Sequence, residues 1–161
     1  MGKKAYIDFI NKPQYSMQVY DYAIQVGQFD MSNNLIERLR EINLLESFHV
    51  KYNKEKLVFA VKDCNGRLYW LEQGNESVGL KHIIKRHKDD FIKRYGVDEK
   101  NIAVFIKNLV LSGNKIAERK RLKNGRLTIQ QNYEYKGKYY TLNAVGTNGF
   151  IVTCYPIESE E

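Results

Sequence analysis

Apolar positions in the first quarter of the chain fall at helical intervals. Tyr15, Val19, Tyr22, Ala23 and Val26 predict a helix over residues 13–27, stopped at Gly27. A second helix is expected from Ser32, a good N-cap residue, with Leu35, Ile36, Leu39 and Ile42 on one stripe. Between 48 and 72 the period shortens to two. FHVKY and KLVFAVKD read as strands, Asp63-Cys64-Asn65-Gly66 as a turn, and RLYWLE as the returning strand, with His49 as surface or strand filler. Helical spacing returns over Glu76–Tyr95, closed by Gly96. It returns again over Val97–Leu111, where Ile102, Phe105, Ile106 and Leu109 form the stripe and Gly113 the stop.

Three turn signals then cut residues 115–157 into four strands: Asn124-Gly125, Lys136-Gly137 and Thr147-Asn148-Gly149. Two-residue loops at the first two pair Lys123 with Arg126 and Tyr135 with Lys138. Arg121 then faces Thr128, Arg119 faces Gln130, Asn132 faces Thr141 and Gln130 faces Asn143. A three-residue third loop with Gly149 left-handed pairs Gly146 with Phe150, Asn143 with Thr153 and Thr141 with Tyr155. One face collects Arg119, Arg121, Thr128, Gln130, Asn132, Thr141, Asn143, Thr153 and Tyr155. The other collects Leu122, Leu127, Ile129, Tyr133, Tyr140, Leu142 and Ala144, with Phe150, Val152 and Cys154 turned inward. An α+β fold follows: N-terminal helices and a small hairpin, then two helices and a C-terminal four-stranded antiparallel meander.

Composition narrows the class. With 161 residues, 43% hydrophobic and 28% charged, the chain can build one core and is not compositionally disordered. No apolar run approaches the ~18 residues of a membrane span, and residues 1–10 lack the apolar stretch of a secretory signal, so a cytoplasmic site of action is expected, with no membrane partner. Cys64 and Cys154 have no metal-ligand spacing and read as reduced thiols. The net charge is +7, and it is concentrated. Residues 81–94 hold six basic and two acidic side chains, and residues 115–138 hold eight and two, so the rest of the chain is net acidic. An anionic partner, nucleic acid above all, fits that distribution. The polar sheet face adds to it, because none of its positions is a carboxylate. Arg119, Arg121, Thr128, Gln130, Asn132 and Asn143 are the candidate RNA-binding residues.

The sharpest local feature is Gly79-Leu80-Lys81-His82-Ile83-Ile84-Lys85-Arg86-His87. His82 and Arg86 share one side of a helix. His87 lies about 140° from His82, among Leu80, Ile83, Ile84 and Phe91. Histidines at i,i+5 do not form an HxxxH zinc pair, and neither a metal nor another cofactor is expected.

The pattern G-L-x-H-I-x-x-R-H on a helix, then a further helix and a meander ending in GFIVTCYP, resembles the barnase–EndoU–colicin–RelE superfamily of ribonucleases. The similarity is greatest to its phage-associated and polymorphic-toxin branches and covers roughly residues 66–157. It implies a nuclease domain over 48–161 with a helical extension over 1–47, and metal-independent RNA cleavage. The matching positions are His82, Arg86 and His87 on the helix and Thr153 and Tyr155 in the last strand. A toxin of this kind implies RNA, tRNA or mRNA, as substrate and an acidic immunity or antitoxin protein as partner.

The chemistry agrees. RNA carries its own nucleophile, the 2′-hydroxyl, so a ribonuclease needs acid–base groups, a base for that proton and an acid for the departing 5′-oxygen, and a cation for the phosphorane-like charge. Histidine and arginine supply both. Either His82 or His87 can fill the acid–base role, His87 being favoured for its inward position. Arg86 is expected on the scissile phosphate, with Thr153 and Tyr155 orienting it. A non-catalytic RNA- or DNA-binding module, using the basic segments and the twelve tyrosines, is the alternative.

Overall fold

The computed structural model describes residues 33–123 and 125–158. The chain divides into two compact units, residues 1–55 and 56–161. In the first, helix α1 (Asn33–Ser47) buries Leu35, Leu39, Ile42 and Leu45. The helix expected over 13–27 lies outside the described residues. FHVKY is not a strand. Phe48 and His49 close α1 as a turn, their N–H groups bonded to Leu44, Leu45 and Glu46 carbonyls, and His49 takes a left-handed φ of 56°. A helix end needs its last carbonyls satisfied, and here that outweighs the β-propensity of the segment.

The second unit is α+β, as the periodicities predict. It runs β1 (Leu57–Lys62), β2 (Leu68–Glu72), α2 (Leu80–Tyr95), α3 (Ile102–Ser112), β3 (Asn114–Lys123), β4 (Arg126–Tyr135), β5 (Lys138–Val145) and β6 (Ile151–Ile157). β1 and β2 form an antiparallel hairpin, while β3-β4-β5-β6 is a four-stranded antiparallel sheet in chain order. The expected pairs of the first two sheet hairpins all occur, from Lys123↔Arg126 to Tyr135↔Lys138 and Gln130↔Asn143. At the second turn Lys136 and Gly137 have φ of 54° and 80°, the left-handed values that a two-residue hairpin loop requires.

Both helices start later than their apolar stripes suggest. Residues 73–79 form a loop instead of the first turn of α2. Asn75 Oδ1 accepts from the N–H groups of Ser77 and Val78, and Gly79, at φ 84°, sits where a Cβ would lie 2.9 Å from the Glu72 carbonyl oxygen. Residues 97–101 are likewise outside α3, which follows a short 3-10 turn, Glu99–Asn101.

The third sheet turn differs in detail. Val145 N–H donates to the Phe150 carbonyl and Gly149 N–H to the Val145 carbonyl, so four residues, 146–149, lie in the loop and Ala144 faces Ile151. The expected Gly146–Phe150 pairing does not form. Val152 is an extra residue, a β-bulge, and it restores Asn143↔Thr153 and Thr141↔Tyr155. Ile151, fully buried, therefore takes the core place expected of Phe150 and Val152. Phe150 instead packs edge-on to Trp70. Gly149 is required here: a Cβ would fall 2.0 Å from the Leu68 carbonyl oxygen.

The core lies between the hairpin, the two helices and one sheet face. Phe59, Leu71, Ile83, Phe91, Ile106, Leu109, Tyr133, Tyr140, Leu142 and Cys154 are all buried there. Both thiols are free, Cys64 exposed and Cys154 buried, and burial pushes the Cys154 thiol up. Leu122 and Leu127 do not join the core; they are 75% and 36% exposed. The reason is geometric. β5 pairs with β4 only as far as Thr128↔Val145, so the β3–β4 hairpin outruns the sheet and the apolar strip ends at Ile129. Among the described residues no helix is long and apolar enough to cross a membrane.

Candidate active site

Helix α2 packs against β6, the edge strand of the sheet. The bulge makes the junction. The Val152 carbonyl accepts the Gly79 N–H at 2.9 Å, and Lys81 N–H bonds to the Gln73 carbonyl. These bonds fix the first turn of α2 beside the residues that follow Val152. Histidines on a helix that packs on the core can thus meet side chains of the sheet's opposite face, because the meeting point is the edge.

A cavity of about 550 Å³ opens at this junction. Ser77 and Val78 of the loop, His82 of α2, Arg126 and Thr128 of β4, Asn143 of β5, and Val152 and Thr153 of β6 line it. No lining residue is a carboxylate. His82 Nδ1 lies 2.9 Å from the Glu76 carbonyl oxygen. A carbonyl only accepts, so Nδ1 carries the hydrogen and Nε2 keeps its lone pair. The Glu76 segment is itself tied down by the Asn75 turn and by the Lys85–Glu76 ion pair at 2.7 Å.

Two buried polar atoms at the cavity, Asn143 Oδ1 and Thr153 Oγ1, have no hydrogen-bond partner among the described residues. Their residues face each other across β5 and β6. Buried polar atoms in folded proteins are paired in the great majority of cases, so two unpaired ones at one cavity mark a place that water or a ligand completes.

His87 does not line the cavity. Its ring stacks on Tyr155, centroids 4.7 Å apart and planes 23° apart, and stands 6.1 Å from the His82 ring. Burial, then the neighbouring His82, lowers its pKa below the ordinary 6.5, against the opposing pull of Asp90, whose carboxylate is 3.9 Å away. His87 is thus held neutral near pH 7. Arg86 is exposed on α2, outside the cavity lining.

Of the other residues read from the sequence, Thr128 and Asn143 line the cavity. Arg119 and Arg121 are exposed on β3, and Arg121 Nη1 donates to Gln130 Oε1 at 2.8 Å. Asn132 is buried, and its Oδ1 accepts from Thr141 Oγ1 at 2.7 Å. The polar face is therefore not uniformly solvated: its centre is closed by this internal bond, and the open positions lie toward the hairpin and the cavity.

Arg126 was absent from the sequence-derived set, yet it is the cation at the cavity. The register carried the signal, since a residue paired with Lys123 belongs to the same row as Thr128 and Gln130. Ser77 carried no such signal, because its place depends on the Asn75 turn. Among the described residues, no three His, Cys, Asp or Glu side chains cluster as a metal ion would need. In comparison with known proteins, the chain matches no protein-family model and no curated protein.

Proposed function

We propose that the protein is an endoribonuclease that cleaves RNA by 2′-hydroxyl transesterification without a metal ion. The observation that carries this reading is the cavity itself. It joins an imidazole of fixed tautomer, a guanidinium and two buried unpaired polar groups, with no carboxylate among them.

In this reading His82 Nε2 takes the proton of the 2′-hydroxyl, because its other nitrogen is committed to the Glu76 carbonyl. The alkoxide attacks phosphorus, the bond to the 5′-oxygen breaks as that oxygen takes a proton from water, and a 2′,3′-cyclic phosphate forms; His82 afterwards returns its proton to solvent. Arg126 holds the charge that builds on the phosphoryl oxygens, as a permanently charged fork suits phosphate. Asn143 and Thr153 hold the substrate's polar groups against β5 and β6. His87 and Tyr155 act through position: their stack fixes the end of β6 that bears Thr153. The scissile phosphate is assigned to Arg126 in place of the exposed Arg86. Arg119 and Arg121 hold the flanking backbone. This is also the chemistry that the resemblance to the barnase–EndoU–colicin–RelE ribonucleases implies.

The test is incubation of purified protein with total tRNA and mRNA in EDTA, followed by end-group analysis. Cyclic phosphate ends are expected, with DNA uncut for lack of a 2′-hydroxyl. RNA that is bound in a salt-dependent way but left intact by both wild type and His82→Ala would establish a binding module instead.

A further inference from the structure

The β3–β4 hairpin runs past the sheet. Beyond Thr128↔Val145 it has no third strand, so its tip is a two-stranded ribbon. Residues 115–126 hold six Lys or Arg and one acidic residue, Glu118. That carboxylate is engaged by Arg67 at 3.0 Å and by Gln131 at 2.9 Å, near the base of the hairpin. The outer half is therefore purely cationic.

Its two faces differ. One bears Arg119, Arg121 and Arg126, and it runs directly into the cavity, because Arg126 and Thr128 line both. The other bears Leu122, with Leu127 opposite it, and Lys120 at its root, opposite Ile129 on the last rungs that β5 still pairs; Arg119 of the first face likewise sits at that root, opposite Gln130. Leu127 lies against Gly146, whose N–H donates to the Leu127 carbonyl. Leu122 is 75% exposed. An exposed leucine alone implies no partner, but set beside the cations of the hairpin it matches an anionic partner that also has apolar faces. RNA is such a partner: phosphates outside, base faces inside.

The geometry points to the outer half of this hairpin as an arm that holds folded RNA on both of its faces. The inference rests on the ribonuclease reading above and names its substrate class. A single strand entering the cavity along Arg119, Arg121 and Arg126 leaves Lys120 and Leu122 unused. An RNA that folds back, as a stem–loop does, brings a second backbone segment and an unstacked base to the opposite face. The ribbon then sits between the two segments, with Lys120 on phosphate and Leu122 against a base.

The test uses substrates of three sizes. A dinucleotide fills only the cavity, an unstructured strand adds the Arg119–Arg121 face, and a stem–loop of equal length engages both faces. The double variant Lys120→Gln/Leu122→Asn changes two exposed side chains outside the cavity, and an unchanged melting profile confirms its fold. For this variant the stem–loop KM is expected to rise about tenfold, and its salt slope to fall by about one unit for the lost phosphate contact. Turnover of the dinucleotide and the unstructured strand stays at wild-type values. Leu122→Trp, which offers a larger stacking surface, is expected to hold or tighten stem–loop binding.

An unchanged stem–loop KM in the double variant overturns the arm. So does a loss of binding to phosphatidylserine vesicles, or to an acidic protein, with RNA handling intact. If wild type cleaves none of the three substrates, the ribonuclease reading fails. The arm is then judged by anisotropy with the labelled stem–loop, where equal affinity of wild type and variant rejects it.

Discussion

Two Asn–Thr pairs sit side by side on one sheet face, one bonded within itself and one not. Asn132 and Thr141 face each other across β4 and β5, both buried, joined by a 2.7 Å hydrogen bond. Asn143 and Thr153 face each other across β5 and β6, and Asn143 Oδ1 and Thr153 Oγ1 have no partner among the described residues. Residue types and face are the same. What changes is the strand: β6 is the edge, and the Val152 bulge precedes Thr153. A bulge re-aims its neighbours, and an edge leaves room beside them. The inner pair is completed by the protein; the outer pair is left for something else to complete. On the opposite face, buried Gln131 repeats the first case. Its Oε1 accepts from Tyr69 Oη at 2.7 Å and Tyr133 Oη at 3.1 Å, and its Nε2 donates to Glu118. Burial holds the Tyr133 hydroxyl protonated, and the Gln131 bond, followed by Arg67, keeps Glu118 ionised below its usual range.

The comparison breaks if the unpaired corner does no chemistry. His82→Ala is therefore the largest expected effect: RNA cleavage falls about 10²–10⁴-fold, the range for loss of a general acid–base group. Urea midpoints within error of wild type keep this loss separate from unfolding. His87→Ala should lower the rate less, because His87 acts on the position of Tyr155. Equal losses in both variants would return the acid–base role to the pair.

The satisfied network sharpens the other half. Gln131→Leu leaves the Tyr69 and Tyr133 hydroxyls without their shared acceptor. A buried group deprived of its partner costs about 1–3 kcal/mol, so the urea midpoint should drop by a corresponding amount. Turnover per folded molecule stays unchanged, since no part of this network lines the cavity.

The two threonines make the direct test. Thr141→Val removes the donor to Asn132 and should destabilise by about 1–2 kcal/mol in urea unfolding, with little effect on turnover per folded molecule. Thr153→Val removes a hydroxyl that the free protein leaves unpaired, so stability holds or rises slightly while cleavage drops at least tenfold. If Thr153→Val destabilises as Thr141→Val does and cleaves normally, the two pairs are equivalent and the outer one has no special role.

Much of this sheet could be read from the chain, because short glycine turns fix register and register fixes which side chains share a face. Lys136-Gly137 placed Asn132 against Thr141 and Gln130 against Asn143 with no further information. What could not be read arises where backbone meets backbone across the fold. The Val152 bulge depends on the Gly79 N–H bonding its carbonyl. The late start of α2 depends on Gly79 lying against Glu72 and Gly74. Leu122 and Leu127 were assigned to the core by alternation, and alternation does not say where the neighbouring strand ends. Histidine and threonine types were legible as candidates. That His82, and not His87, reaches the cavity depends on how the helix crosses the edge strand.

The smallest expected effect is in pH dependence. His87 titrates below its ordinary value of about 6.5 in the folded protein, chiefly through burial and the adjacent His82. The groups facing it are His82 and Arg86, which oppose its protonation, Asp90, which favours it, and the Tyr155 ring. Between the unfolded value and the lower folded one, the unfolded chain binds more protons, so stability rises with pH across that interval. The contribution is complete above about pH 6.5 and is lost as pH falls through the folded pKa. His87→Gln, which keeps a planar polar group without the titration, should therefore flatten the fall in urea midpoint on going from pH 7 to pH 5. His82→Gln should also lessen that fall, because His82 is one of the groups that lower the His87 pKa, while cleavage stays about 10²–10⁴-fold down. The inner Asn–Thr pair contains no titrating group, and Thr141→Val should shift the midpoint by the same amount at both pH values. An acid-induced loss as steep in His87→Gln as in wild type would place the sensitivity in another group and leave the His87–Tyr155 stack a packing contact alone.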